Sequence, residues 1–264
     1  MSKLSSFFKI FLLLSFQHVV VAKSKLDLDL KTDIVHRLQE IKKAGASEVK
    51  TVQDAFKLGL MEYLPVGDSL KVLFFPTMRK DVLNGKFSRL DIRFRKGSLQ
   101  GIEKLEIKKA RIIVEDIQFD VDKLLSSGKL EIKKMDNVKF NLRIEEDSIN
   151  HYLESERKRL RLSQPRVHLD KDKMYFSAKV RTTFFSSRLK TEGKFVVNKE
   201  DQTVDFRTRR VSINSLKIPG FLISNLANKV NPVLKLNKFA LMDLIPLKLD
   251  EIKIHDGWVE FKGL

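Results

Sequence analysis

Five histidines, His18, His36, His151, His168 and His255, are the side chains best suited to acid–base or metal chemistry. No two of them stand at the H-x-x-x-H spacing that places both imidazoles on one helical face. The chain has no cysteine, which excludes thiolate nucleophiles and disulfides. It has no nucleophile elbow, no Walker loop and no G-x-G-x-x-G turn. His255-Asp256 offers a histidine beside a carboxylate, but Gly257 follows at once and no serine signature accompanies it, so the pair reads as a hairpin turn. The run Glu145-Glu146-Asp147 could supply paired acids. It is better explained as the start of a helix, where the dipole favours negative charge. The residue pattern points to binding rather than turnover, and nothing in it requires a cofactor or a metal.

The elements around these residues are amphipathic. "TDIVHRLQEIKKAG" predicts a helix capped by Asp33 and stopped by Gly45, and "EVKTVQDAFKLGLMEYL" a helical stretch with Val52, Phe56 and Leu60 four apart. Together they form a broken N-terminal helical region over 23–67. "LKVLFFP" predicts a strand, "TMRKDVLNG" a short helix ending at Gly85, and "KFSRLDIRF" an alternating strand. In "GIEKLEIKKARIIVEDIQFDVDKLL" the alternation changes parity more than once, as in a long strand with bulges that ends in a turn. "GKLEIKKMDNVKFNLRIEE" repeats the alternation. "DSINHYLESERKRL" predicts a helix capped near Asp147, with Ile149, Leu153 and Leu160 inward.

The second half reads as a meander. "MYFSAKVRTTFF" places Phe176, Ala178, Val180, Thr182 and Phe184 on one face and Lys179 and Arg181 on the other. "KTEGKFVVN" adds Phe195 and Val197, and "TVDFRTRRVSIN" adds Val204 and Phe206 before a bulge near Arg209 and Arg210. "IPLKLDEIKI" and "GWVEFKG" predict a last hairpin around "HDG". Between these lies "KIPGFLISNLANKVNP", a proline-led helix whose Leu222, Ile223, Leu226 and Val230 form an apolar stripe. The fold class is α+β: a long, strongly curved antiparallel sheet over 68–264, with amphipathic helices in its concavity.

Composition sets the compartment and the partners. Residues 1–22 have a basic start, an apolar run from Ile10 to Phe16 and small residues near Ala22, the layout of an export signal, either cleaved or retained as an anchor. The formal charge is +17, which outside the cytoplasm favours an anionic membrane surface or envelope polyanions. The basic groups Arg157-Lys158-Arg159 and Arg207, Arg209 and Arg210 are the candidate contacts with such a surface. Nucleic acid would need aromatics interleaved on the basic face, whereas the phenylalanines alternate onto the opposite one. There are 19 Phe against one Trp and three Tyr, and phenylalanine suits a dry interior because it carries no polar tip.

Four stretches resemble the LmeA-like phospholipid-binding family of bacterial envelope proteins. They are "FFPTMRKDVLNGKFSRLDI", "ARIIVEDIQFDVDKLL", "EEDSINHYLE", and "IPGFLISNLANKVNP" with "LIPLKLDEIKIHDGWVEFKG". The resemblance runs from about residue 68 to the end. It implies a half-unit of the tubular lipid-binding (TULIP) fold, in which a curved sheet wraps a helix around an apolar tunnel. It implies a lipid-binding role for Phe176, Val180, Phe184, Phe195, Val197 and Phe206, with Leu222, Ile223 and Leu226 facing them.

Two functions follow from these readings. One is an exported, envelope-associated protein that holds or carries a phospholipid or another acyl lipid in an apolar groove, without catalysis. The other is a basic structural or adaptor protein with a packed core that binds envelope polyanions.

Overall fold

The computed structural model describes residues 48–64, 69–98, 105–158, 163–181, 186–214, 216–217, 234–235 and 241–264. The helices expected over 33–45 and 219–230 lie outside the described residues.

Helix α1 (Glu48–Met61) forms where Val52, Phe56 and Leu60 repeat every fourth residue, and all three are buried. It packs against strand β1 (Lys71–Phe75) and two short helices. The first, α2 (Arg79–Leu83), begins where the Asp81 carboxylate accepts the Met78 N–H at 2.9 Å. Gly85 follows at φ +65°, and a Cβ there would lie 2.1 Å from the Phe119 carbonyl oxygen. The second, α3 (Val121–Ser127), occupies the place where the sequence suggested only a turn. Asp120 Oδ1 accepts the Lys123 N–H at 2.8 Å and Gly128 ends the helix at φ +68°. A good cap and a left-handed terminator therefore make a helix from seven residues.

The remaining strands are β2 (Lys86–Gly97), β3 (Ile107–Phe119), β4 (Ile132–Lys134), β5 (Val138–Glu145), β6 (Ser163–Asp170), β7 (Lys173–Arg181), β8 (Ser186–Asn198), β9 (Thr203–Ile213), β10 (Leu216–Lys217), β11 (Leu234–Lys235), β12 (Glu251–His255) and β13 (Trp258–Gly263). Helix α4 (Glu146–Glu156) joins β5 to β6, and α5 (Leu241–Leu244) precedes the last hairpin.

Among the described residues every strand pairing is antiparallel, as expected, but the strands form two sheets rather than one. The first runs β1-β2-β3-β5-β13-β12, with β4 on the end of β3, and the second runs β10-β9-β8-β7-β6, with β11 on β9. Neither path closes on itself among the described residues, so the single strongly curved sheet is replaced by two open ones. The physical reason is the last hairpin. Alternation fixes which face a residue occupies but not its partner, and β13 pairs back with β5 instead of extending the meander.

Of the expected bulges, the one near Arg209 and Arg210 is present, whereas β3 keeps one register against β2 throughout and holds no extra residue there. Pairing of β2 with β3 lapses between Phe87↔Ile117 and Arg89↔Glu115, where Asp116 has φ +47°, and again between Arg95↔Lys109 and Gly97↔Ile107, where Lys96 has φ +52°. Those interruptions let Ile107, Ile112, Val114, Ile117 and Phe119 all be buried despite their changing parity. In the second sheet Glu192 pairs with Arg210 and Gly193 with Thr208, leaving Arg209 as the extra residue.

A knot of phenylalanines joins α1 to the first sheet. Phe74 stacks on Phe87 at 4.3 Å, Phe56 meets Phe74 edge-on at 5.2 Å, and Phe119 lies 5.0 Å from Phe56. The two sheets meet along β12, which lies against β6, β7 and β8. The Asp172 N–H donates to the Ile254 carbonyl at 3.0 Å, and the Gly257 N–H to the Leu169 carbonyl at 3.0 Å. One buried apolar cluster takes in α1 and both sheets.

Candidate functional site

The second sheet gathers the expected apolar residues on its inner face. Register sets Phe176 opposite Thr191, Phe195 opposite Phe206, and Val197 opposite Val204. Phe176 and Phe206 are fully buried, whereas Phe195 and Val197 are half-buried against the core. The Phe195 and Phe206 rings meet edge-on at 5.8 Å. Gly193 exists for this contact: a Cβ there would fall 2.5 Å from Phe206 Cζ and 2.6 Å from the Arg207 carbonyl oxygen. Val180 pairs with Ser187 at the end of β7. Phe184, Leu222, Ile223 and Leu226 lie outside the described residues. One polar group interrupts the inner face. Thr191, 4% exposed between Phe176 and Val211, has a buried hydroxyl with no hydrogen-bond partner.

The polar residues that alternate with these apolar ones line two adjoining cavities on the same sheet. One, of about 570 Å³, is lined by Arg166, His168, Tyr175, Lys190, Glu192 and Arg210, and it also touches Val167, Phe176, Thr191 and Val211 of the apolar set. The other, of about 610 Å³, shares Arg166, Ser177 and Lys190 with it and adds Glu154, Arg157, Lys179 and Arg188. The two carboxylates that line them are each engaged by another arginine, Glu154 by Arg157 and Glu192 by Arg210 at 3.7 Å. Cations therefore outnumber anions in both.

Of the expected surface-contact residues, Arg157 and Arg210 line these cavities, Lys158, Arg207 and Arg209 are exposed, and Arg159 lies outside the described residues. Arg166, His168, Lys190 and Arg188 were missed. Strand β6, which carries the first two, contains Pro165 and begins with a pairing irregularity, so its alternation gives a weak signal.

The first sheet handles charge differently. On its outward face Asp91 is completely buried beneath three arginines. Arg93 and Arg111 each grip it with two nitrogens, closest at 2.7 Å, and Arg89 adds a contact at 3.1 Å. Burial alone would push this carboxyl up. The hydrogen bonds and charges of Arg93 and Arg111 prevail and hold it far below the usual carboxylate range.

At the other end of the same sheet, His255 stacks on Trp258 at 3.8 Å and the Arg143 guanidinium lies 4.1 Å from the same indole. The carboxylate that His255 meets is Glu260, 3.5 Å away, while Asp256 is exposed in the turn. Burial would raise the Glu260 carboxyl, but bonds from Lys262 and Asn141 lower it. The acidic run at 145–147 does begin a helix, with Glu145 rather than Asp147 at the cap. Glu146 Oε2 accepts the Leu169 N–H, tying α4 to β6. Among the described residues no group of histidines and carboxylates is arranged to hold a metal ion. No described helix is long and apolar enough to cross a membrane.

The family model for LmeA-like phospholipid-binding proteins matches residues 75–263. The chain belongs to the LmeA-like phospholipid-binding family. The match begins at the last residue of β1 and ends at the last residue of β13, so the LmeA-like region takes in both sheets apart from most of β1 and leaves α1 outside. No curated protein and no solved structure matches the chain.

Proposed function

We propose that this protein holds a phospholipid or related acyl lipid against the inner face of the second sheet, carrying or retaining it without reaction. The observation that carries the reading is the gathering of Phe176, Phe195, Val197 and Phe206 on one face, within a chain of a phospholipid-binding family. The half-buried Phe195 and Val197 are the part of that face a ligand would meet. In this reading Val180, Phe184 and the helix expected over 219–230, with Leu222, Ile223 and Leu226, complete a TULIP-like enclosure. Burial of about ten methylenes contributes roughly 8 kcal/mol gross without a designed polar contact. The protein would work in the bacterial envelope, exported or anchored through residues 1–22, with Arg157, Lys158, Arg159, Arg207, Arg209 and Arg210 turned to an anionic surface. The test is mass spectrometry of lipid extracted from the purified protein, with uptake of a fluorescent phospholipid. Wild type should carry and take up lipid, and Phe195→Asp should lose uptake. Protein free of acyl species that takes up none would overturn the reading.

A second reading is favoured by the basic cavities of the same sheet. There the protein is an adaptor with a packed core that binds envelope polyanions through Arg166, Arg188 and Lys190. It expects salt-sensitive binding to anionic polymers that Phe195→Asp leaves unchanged.

A further inference from the structure

Large apolar side chains exposed singly over a surface need no explanation, but a contiguous group of them marks a contact site. Five exposed large hydrophobic residues occur among the described residues: Leu73, Phe75, Met78, Leu83 and Leu264. Four of them fall between positions 73 and 83, on β1, the following loop and α2. Phe75 is 43% exposed, Met78 55% and Leu83 56%. β1 is the end strand of its sheet path, with β2 as its partner, and Pro76 ends its capacity to donate hydrogen bonds.

What flanks this group names its partner. Register places Lys71, Leu73 and Phe75 opposite Arg93, Asp91 and Arg89. These are the guanidiniums that converge on the buried Asp91, and Arg111 completes the set. Three arginines on one carboxylate leave the cluster net positive while each stays about 40–48% exposed. The Arg89 guanidinium also lies 5.4 Å from the Phe75 ring. An apolar tip beside a rigid cationic band is the arrangement that seats in a bilayer interface, side chains among the acyl chains and cations at the phosphates.

We propose that the β1–α2 edge, through Phe75, Met78 and Leu83 with the arginines around Asp91, is a docking surface for an anionic lipid bilayer. This is distinct from the apolar face assigned to the bound lipid and from the basic cavities of the second sheet. It rests on the lipid-binding reading only in that a lipid carrier must meet a membrane. The absence of cysteine makes the test direct. Met78→Cys carrying an environment-sensitive dye is mixed with vesicles of phosphatidylcholine and phosphatidylglycerol, with Lys253→Cys as the control site. A blue shift at position 78 and none at 253 is the expected result.

Co-sedimentation with the same vesicles should weaken at least tenfold in Phe75→Asp and in Leu83→Asp, while fluorescent-lipid uptake stays at the wild-type level. Equal sedimentation of wild type and both variants overturns the docking surface even if uptake is intact. Loss of uptake in Phe195→Asp with normal sedimentation separates the two sites. A concentration-dependent dimer, abolished by Phe75→Asp, in protein that does not bind vesicles would assign the edge to a second copy of the chain and also overturn the proposal.

Discussion

Arg93 and Arg111 on the first sheet and Arg166 and Lys190 on the second all project from alternating strand positions, yet their surroundings differ. The first pair is locked by two-pronged bonds to a fully buried carboxylate. The second pair lines open cavities whose carboxylates are engaged by other arginines. The comparison shows that a large positive charge is two things in one molecule. On one sheet it is held rigid by a buried anion with only its surplus facing outward, and on the other it has no such buried anchor.

The most forceful way to break this comparison is Asp91→Asn, which leaves three guanidiniums without their anion. Fully buried pairs lose about 3–5 kcal/mol when one partner is removed. Because the arginines here are partly solvated, about 2–4 kcal/mol is expected, measured by urea unfolding. Arg166→Gln with Lys190→Gln should change stability by no more than about 0.5 kcal/mol while weakening binding to anionic vesicles or polymers. A large stability loss in that double variant would erase the distinction.

On the inner face of the second sheet, Gly193→Ala forces a methyl into Phe206 and the Arg207 carbonyl, and overpacking of this kind costs about 1–3 kcal/mol. Gly257→Ala meets no neighbour within 4 Å but must adopt φ +75°, so about 1–2 kcal/mol is expected from the backbone alone. Melting temperatures of the two variants separate steric from conformational cost.

Acid sharpens the contrast further. The Asp91 carboxyl is depressed in the folded protein, so its stabilisation is complete above the unfolded value of about 3.9 and is lost as pH falls toward the folded one. The stability gap between wild type and Asp91→Asn should hold constant from pH 7 to about 4 and narrow below that.

A change of opposite sign is expected at Thr191. Removing its unpartnered hydroxyl with Thr191→Val should stabilise the lipid-free protein by about 1 kcal/mol. If a lipid ester accepts that hydroxyl, the same variant should retain less lipid, read by mass spectrometry.

Local features were legible where one residue decides geometry. Gly85 and the Asp256-Gly257 turn punctuate the chain as expected, and the parity change in β9 located the bulge at Arg209, whereas those in β3 occur with no shift of register against β2. The inner-face set Phe176, Phe195, Val197 and Phe206 also follows from period-two alternation. Pairing across the chain was not legible. Nothing in β13 announces β5 as its partner, and β6 was hidden by Pro165 and by the left-handed Gln164. The phenylalanine surplus was ambiguous for a different reason. Phe56, Phe74, Phe87 and Phe119 are spent on a packed knot far along the sequence from the lipid-facing candidates. Asp91 was passed over because one acid among alternating arginines resembles any solvated strand face.

The return of β13 to β5 also governs when the fold can form. The Asn141 amide bonds Glu260 across 119 residues of chain, and β12, the other arm of that hairpin, is the strand against which the second sheet rests. Pairings of such long range lose loop entropy before any contact compensates it, which slows folding. The nascent polypeptide must therefore wait for its last hairpin before the two halves can lock, and until then β5 presents an unsatisfied edge that a chaperone could recognise.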